Sequence, residues 1–165
     1  MIAVDTPILL FAVNRYAPEH RRAAALLEDL AGGDTPWAVT WTGLHEFLRR
    51  VTHRHAVAHP LAPELAGGFV REILASPSVR LLGPTARHAA VLAEVLGTLP
   101  AEEPVPDVLE QAVLFHEHGV RTVLTTDTAW RDFDFLTTVD PFRQKWPSEP
   151  ERRRYRRLTL RASAE

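Results

Sequence analysis

The chain has 165 residues and a mass of 18.5 kDa, a length that suits a single domain. Its apolar share of 45%, charged share of 24% and net charge of −2 are typical of a globular chain with one sizeable core. The lack of cysteine excludes disulfides, iron–sulfur clusters and cysteine-ligated zinc. No apolar run has the roughly 20 residues of a membrane helix, and Met1–Asp5 lacks the basic region of a signal peptide. We therefore expect a soluble, cytoplasmic protein.

The small net charge hides an uneven distribution. Residues 151–165 contain six arginines and two glutamates, a local charge of +4, whereas the first 150 residues carry −6. A basic tail of this kind is a candidate contact for nucleic acid. The alternative is a solvated terminal helix or a frayed end.

Short apolar runs alternate along the chain with longer segments that favour helix. The runs predict strands at residues 2–4, 37–40, 79–82 and 122–125. Helices are predicted around 8–11, from Pro18 to about Leu30, from a Thr42 cap to about Val51, from Pro63 to about Ala75, from a Thr85 cap to Leu96, and from a first turn containing Asp107 to a C-cap at Gly119. This alternation is typical of parallel βαβ units and predicts an α/β fold with a small central parallel sheet.

Two of the predicted strands end in the same dipeptide. Asp5-Thr6 follows the first strand, and Asp127-Thr128 follows the last. Sites in open parallel sheets form at the carboxyl ends of strands, so we expect Asp5 and Asp127 at one edge, with Asp107 able to reach it. Clustered carboxylates repel one another unless a cation neutralises them, and oxygen ligands suit Mg²⁺ or Mn²⁺. Such an ion can activate water for phosphodiester cleavage.

Each of these acids also has a simpler interpretation. Asp5 and Asp127 could cap the element that follows, and Asp107 could complement a helix dipole. Glu46 falls opposite the apolar face of its helix, which favours a surface ion pair with Arg50 at i,i+4. That predicted apolar face consists of Trp41, Leu44, Phe47, Leu48 and Val51.

The four acids lie, in order, within stretches that resemble the PIN-domain ribonucleases, most closely the VapC toxins of bacterial toxin–antitoxin pairs. The matching stretches are Val4-Asp5-Thr6 with Leu9-Leu10 and Phe11-Ala-Val-Asn14, Glu46-Phe47-Leu48-Arg49, Val105-Pro106-Asp107, Glu117-His118-Gly119-Val120 and Leu124-Thr-Thr-Asp127. The similarity covers about residues 1–142. It implies a three-layer α/β/α PIN-like nuclease domain over residues 1–145, followed by a basic C-terminal extension over residues 146–165.

The resemblance implies a metal-dependent endoribonuclease that cleaves structured RNA such as transfer RNA and leaves a 5′-phosphate and a 3′-hydroxyl. It implies Asp5 and Asp107 as primary ligands of Mg²⁺ or Mn²⁺, with Asp127 binding directly or through water. Glu46 would orient the attacking water or bind a second ion. The family also implies a homodimer that is inhibited by a small VapB-type antitoxin.

The chain departs from the family pattern at two places. Pro7 stands where an asparagine or serine is usual two residues after the first aspartate. Ala129 and Trp130 stand where a second aspartate and a phenylalanine often follow Asp127. Both changes touch the edge of the expected site and leave the four acids in place.

Other sites find less support in the sequence. His55 and His59 lie in a proline-rich loop, and His116 and His118 point in different directions on a helix, so structural zinc is not expected. The chain has no P-loop and no Gly-x-Ser-x-Gly elbow, and Pro7 replaces the second acid of haloacid-dehalogenase-type phosphatases. The main alternative is a non-catalytic RNA-binding module that uses the Arg-rich tail. A further alternative is a pure partner interface.

Overall fold

A computed structural model of the chain describes residues 1–143. Its strands are β1 (Ile2–Val4), β2 (Trp37–Thr40), β3 (Val79–Leu82), β4 (Thr122–Leu124) and β5 (Thr137–Val139). Its helices are α1 (Thr6–Val13), α2 (His20–Gly32), α3 (Trp41–Val51), α4 (Pro63–Ala75), α5 (His88–Leu96) and α6 (Leu109–Glu117), with a short 3-10 helix at Thr128–Asp132. The basic extension 146–165 and its expected RNA contact lie outside the described residues.

The five strands form one fully parallel sheet in the order β3-β2-β1-β4-β5. The chain moves outward from the central β1 to β2 and β3, then returns to the other side of β1 for β4 and β5. Asp5 follows β1, Asp127 follows β4, and the Asp5 backbone N–H donates to Leu124 O at 3.1 Å. The strand order therefore reverses between the two Asp-Thr junctions, which is where open α/β sheets form their sites.

Alternate residues of the strands pack into two separate apolar cores. Val4 and Leu124 join the core formed with α1 to α4. Ala3 and Val123 join the second core, formed with α5, α6 and the 3-10 segment. Because successive side chains of a strand point to opposite faces, the sheet is covered on both sides. The predicted three-layer α/β/α architecture is confirmed.

Several local predictions change in the structure. Thr40, not Thr42, caps α3 by accepting a hydrogen bond from Gly43 N at 2.9 Å, and Thr42 donates to Glu110 instead. Thr85 lies three residues before α5 and donates to Glu117 at the end of α6. Asp107 precedes α6 in a turn that is closed by a hydrogen bond from Leu109 N to Pro106 O.

Gly119 meets the expectation for a helix end. It follows α6 with a φ of +69°, a left-handed conformation that favours glycine and lets the chain turn towards β4. Among residues 1–143, no helix is long and apolar enough to cross a membrane.

Candidate active site

Asp5 is the buried centre of the site at the carboxyl edge of the sheet. Its side chain caps α1 through Oδ1, which accepts from Thr6 N at 2.7 Å. Its other oxygen, Oδ2, accepts from Thr125 Oγ1 at 2.6 Å and from Trp130 Nε1 at 2.7 Å. Because Asp5 is only 2% exposed, these three donors replace the water that would otherwise solvate the carboxylate.

The surroundings of Asp5 raise its pKa from 3.8 to about 6. Burial is the largest cause, since it disfavours the charged form. The hydrogen bonds from Thr125, Trp130 and Thr6 oppose this rise, and the negative charge of Glu46 adds to it. A cation placed beside Asp5 would relieve both the desolvation and the repulsion between the two carboxylates.

Glu46 reaches the same edge of the sheet from α3. Its Oε2 accepts from Thr6 Oγ1 at 3.0 Å and from Gln111 Nε2 at 3.4 Å. Its Oε1 pairs with Arg50 at 3.0 Å, so the predicted i,i+4 ion pair is present. The side chain is 32% exposed, which leaves its carboxylate open to solvent while one oxygen stays fixed by Thr6.

The buried polar residues form one connected network around these two acids. Five of the six that are buried within residues 1–143 belong to it: Asp5, Thr6, Thr40, Gln111 and Thr125. Thr6 joins Asp5 to Glu46, and Gln111 joins Glu46 to Thr40 through a 3.1 Å hydrogen bond. Buried polar groups outside secondary-structure hydrogen bonding are costly, and their concentration at one edge makes this edge the candidate site.

A glycine allows the helices to approach closely enough for this network. A β-carbon at Gly43 of α3 would lie 2.8 Å from Gln111 Oε1 and 3.1 Å from Thr40 Oγ1. A larger residue at this position would therefore displace the Gln111 amide, which links α6 to Glu46.

Asp127 and Asp107 are both exposed, and Asp127 contacts the network through its backbone. The backbone N–H of Asp127 donates to Thr125 Oγ1 at 2.9 Å, and its Oδ1 caps the 3-10 helix by accepting from Ala129 N at 2.9 Å. The Asp107 side chain is exposed in the turn before α6. The structure therefore links Asp5 to Glu46 through Thr6, connects the backbone of Asp127 to Asp5 through Thr125, and leaves Asp107 facing solvent.

The oxygen-only donor set and the unfavourable charge of buried Asp5 fit a hard divalent cation in type. The acids are nevertheless widely spaced. In the part of the chain that the structure describes, no three His, Cys, Asp or Glu side chains are grouped closely enough to hold a metal ion.

A pocket of about 740 Å³ lies beside Asp127, between the end of β4 and the start of α2. Its lining includes three arginines and three acids, among them Arg22, Arg131, Arg143 and Asp127. Arg22 donates to Pro141 O at 2.9 Å and lies over the Phe142 ring at 5.5 Å from its centroid. These contacts attach the end of the described chain to the rim of the pocket.

Sequence similarity between this chain and curated proteins identifies its family. The chain is 33% identical over 144 residues to ribonuclease VapC33 of Mycobacterium tuberculosis, a match that covers 87% of this chain and all of that protein. It is 31% identical over 139 residues to ribonuclease VapC48 of the same species, with 84% of this chain and 95% of that protein covered. The chain belongs to the VapC family of ribonucleases. No general protein-family model matches it.

Solved structures of VapC proteins share the fold. The crystal structure of M. tuberculosis VapC20, a toxin that cleaves the sarcin–ricin loop, has a TM-score of 0.56 at 17% identity, covering 82% of this chain and 98% of that one. VapBC2 of Rickettsia felis, solved with a DNA fragment of its promoter, has a TM-score of 0.59 at 18% identity, with 84% and 98% covered. At these identities the likeness concerns the architecture alone.

Sequence reasoning about this VapC chain missed four residues of the site. Thr6, Gln111, Thr125 and Trp130 position the two joined acids. The family pattern marks Trp130 only as a departure, although its indole N–H donates to Asp5 and its ring is fully buried. The signal in the sequence is Trp130 itself, a large aromatic residue with one N–H donor that occurs three residues after Asp127.

Proposed function

We propose that this VapC protein is an endoribonuclease that depends on Mg²⁺ or Mn²⁺ and acts in the cytoplasm as the toxin of a type II toxin–antitoxin pair. The observation that carries the proposal is the buried Asp5, joined through Thr6 to Glu46 at the carboxyl edge of the parallel sheet. A buried carboxylate with a raised pKa beside a second acid is costly for stability, and it is typical of a catalytic site.

Asp5, Asp107 and Asp127 are the residues that we propose hold the cation, and Glu46 would orient the attacking water or bind a second ion. When bound, the cation would polarise the phosphate and lower the pKa of a water molecule. Because no three acids of the described chain share a metal position, we propose that the RNA phosphate completes the site. This proposal predicts that RNA strengthens cation binding.

The protein side chains contribute positioning and proton transfer. Thr6, Thr125 and Trp130 fix Asp5, so that its orientation needs no rearrangement during the reaction. Glu46, held by Thr6 and Arg50 but open to solvent, is the group that we propose accepts a proton from the attacking water. The water oxygen bonds to phosphorus as the P–O3′ bond breaks, and the departing 3′-oxygen takes a proton from solvent, which leaves a 5′-phosphate and a 3′-hydroxyl on the cleaved RNA.

The proposed partners are structured RNA as substrate, a VapB-type antitoxin and a second copy of the chain. The named cleavage of the sarcin–ricin loop by VapC20 and the VapB–VapC assembly from R. felis support the first two. A transfer-RNA pool and a sarcin–ricin-loop RNA are therefore the first substrates to compare.

A second function is favoured by one observation. The wide spacing of the acids, together with Pro7 and Ala129, is compatible with a PIN-like module that binds RNA without cutting it. In that case the Arg-rich tail would supply much of the affinity.

We expect the wild-type protein to cleave transfer RNA or the sarcin–ricin-loop RNA in Mg²⁺ or Mn²⁺, and to lose this activity in excess EDTA. Product ends should carry a 5′-phosphate, which ligation or phosphatase sensitivity would reveal. Binding of both RNAs without cleavage in either metal would favour the non-catalytic module instead.

Deletion of residues 151–165 is expected to weaken RNA binding at low salt and to flatten its salt dependence. Six arginines can neutralise up to six phosphates. The negative slope of the log binding constant against log salt concentration should therefore become shallower by up to about 4 for single-stranded RNA. A matched variant with all six arginines changed to lysine keeps the charge and should keep the slope. A slope that is unchanged by the deletion would assign the tail to a structural or protein-binding role.

A further inference from the structure

Trp41 is a large aromatic side chain left on the surface of α3. It is 47% exposed, whereas Trp37 and Trp130 are buried. Its ring stacks on His45, one helical turn later, with a centroid distance of 5.8 Å and an interplanar angle of 26°. A β-carbon at Gly83, the residue after β3, would lie 3.8 Å from Trp41 Cδ1. The indole is therefore exposed, stacks on α3 and lies close to the segment after β3.

This aromatic pair lies on α3, the helix that carries Glu46. Trp41 directly follows the α3 cap Thr40, which is joined through Gln111 to Glu46. His45 precedes Glu46 in the helix. Since β1, β2 and β3 are adjacent in the sheet, the ends of β2 and β3 lie about 5–10 Å from the end of β1. Trp41, directly after β2, therefore lies at the same carboxyl edge of the sheet as Asp5.

The side chains along this face of α3 suit single-stranded nucleic acid. Trp41, His45 and Arg49 occur at i, i+4 and i+8, so they form one row, and all three are exposed. The neighbouring row contains Glu46 and its partner Arg50. An aromatic platform followed by a cation matches a base and a phosphate, whereas a protein interface of ordinary size has a broader apolar centre.

We propose that Trp41 and His45 form a stacking platform for one unpaired base of the RNA, on the nucleotide beside the phosphate at Asp5 and Glu46, and that Arg49 contacts the backbone further along. This inference rests on the proposed function, because it takes RNA as the ligand of the adjacent acids. Bases that are splayed from loops are commonly recognised by stacking on aromatic rings.

The test measures equilibrium binding of the full chain, in EDTA, to a single-stranded RNA oligonucleotide that the wild type binds. Trp41→Ala should weaken binding roughly 5- to 150-fold, the range for loss of one stacked base. Trp41→Phe should recover most of the affinity. Tyr16→Ala is the matched control, since Tyr16 is also exposed and stacked on a histidine, His59, but lies beyond the end of α1.

An abasic scan of the same oligonucleotide separates stacking from a structural effect. At one position, removal of the base should weaken wild-type binding and abolish the further effect of Trp41→Ala. If Trp41→Ala lowers the affinity by the same factor for intact RNA and for every abasic RNA, the proposal is overturned. Unchanged RNA binding by Trp41→Ala would overturn it as well, and dissociation of a dimer in that variant would then assign Trp41 to contact between copies. Because RNA binding is measured in EDTA, the result can be interpreted even if the protein proves unable to cleave RNA.

Discussion

Asp5→Asn should abolish RNA cleavage in Mg²⁺ and in Mn²⁺ while the protein remains folded. The substitution keeps the size of the side chain but removes the charge at the centre of the network formed by Thr6, Thr125 and Trp130. Loss of several kcal/mol of transition-state stabilisation corresponds to a rate at least about 10³-fold lower. Cleavage of the transfer-RNA pool and the sarcin–ricin-loop RNA measures this effect.

The control for Asp5→Asn is Asp34→Asn. Asp34 is exposed in the connection before β2, towards the amino ends of the strands, so its change should leave cleavage intact. Parental activity of purified Asp5→Asn protein, with contaminating nuclease excluded, would refute the assignment of Asp5.

The same variant provides a measurement of stability against pH. The folded pKa of Asp5, about 6, lies above its ordinary value of 3.8, so the native state binds more protons between these two pH values. Wild-type stability should therefore fall as pH rises from about 4 to above 6, by roughly 3 kcal/mol relative to Asp5→Asn. Denaturant unfolding of both proteins in EDTA, compared at each pH, cancels the contributions of other groups. A pH-independent difference would show that Asp5 titrates normally.

The layout of the fold was largely accessible from the sequence. The four apolar runs that predicted strands contain β1 to β4, because Val, Leu and Trp side chains fill these strands and turns or caps bound them. The fifth strand, Thr137–Val139, was missed since it is short, threonine-rich and buried only at Val139. It forms by pairing with β4 at the edge of the sheet, and a local sequence pattern does not indicate such a pairing.

The site was predicted less completely because its contacts join distant segments. Asp5 was identified from its position after a strand, a local feature. The role of Glu46 depends on Thr6, 40 residues away, and on Gln111, 65 residues away. A helical wheel placed Glu46 on a free surface, and it also assigned Trp41 to the apolar face, although the structure leaves Trp41 exposed. The wheel describes one helix and contains no information on where α1 and α6 pack against it.

Trp130→Phe should lower the cleavage rate about 10- to 100-fold and destabilise the fold. The indole donates to Asp5 Oδ2 at 2.7 Å and stacks on Phe115 with a centroid distance of 5.1 Å. Phenylalanine keeps an aromatic ring there but removes the donor, so Asp5 loses one of three hydrogen bonds. A hydrogen bond to a charged group contributes about 1.5–3 kcal/mol, and the smaller ring leaves a cavity that adds to this cost.

A matched core variant separates the hydrogen bond from general loss of packing. Phe133 is buried in the same aromatic cluster, 6.4 Å from Trp130 between ring centroids, and Phe133→Leu removes volume without touching Asp5. At matched stability, Trp130→Phe should show a lower kcat with RNA affinity in EDTA unchanged, and Phe133→Leu should keep the parental kcat. If both variants lose kcat equally, the indole serves the core and the orientation of Asp5 depends on Thr6 and Thr125. If only Trp130→Phe loses it, the tryptophan that departs from the family pattern is a positioning residue of the active site.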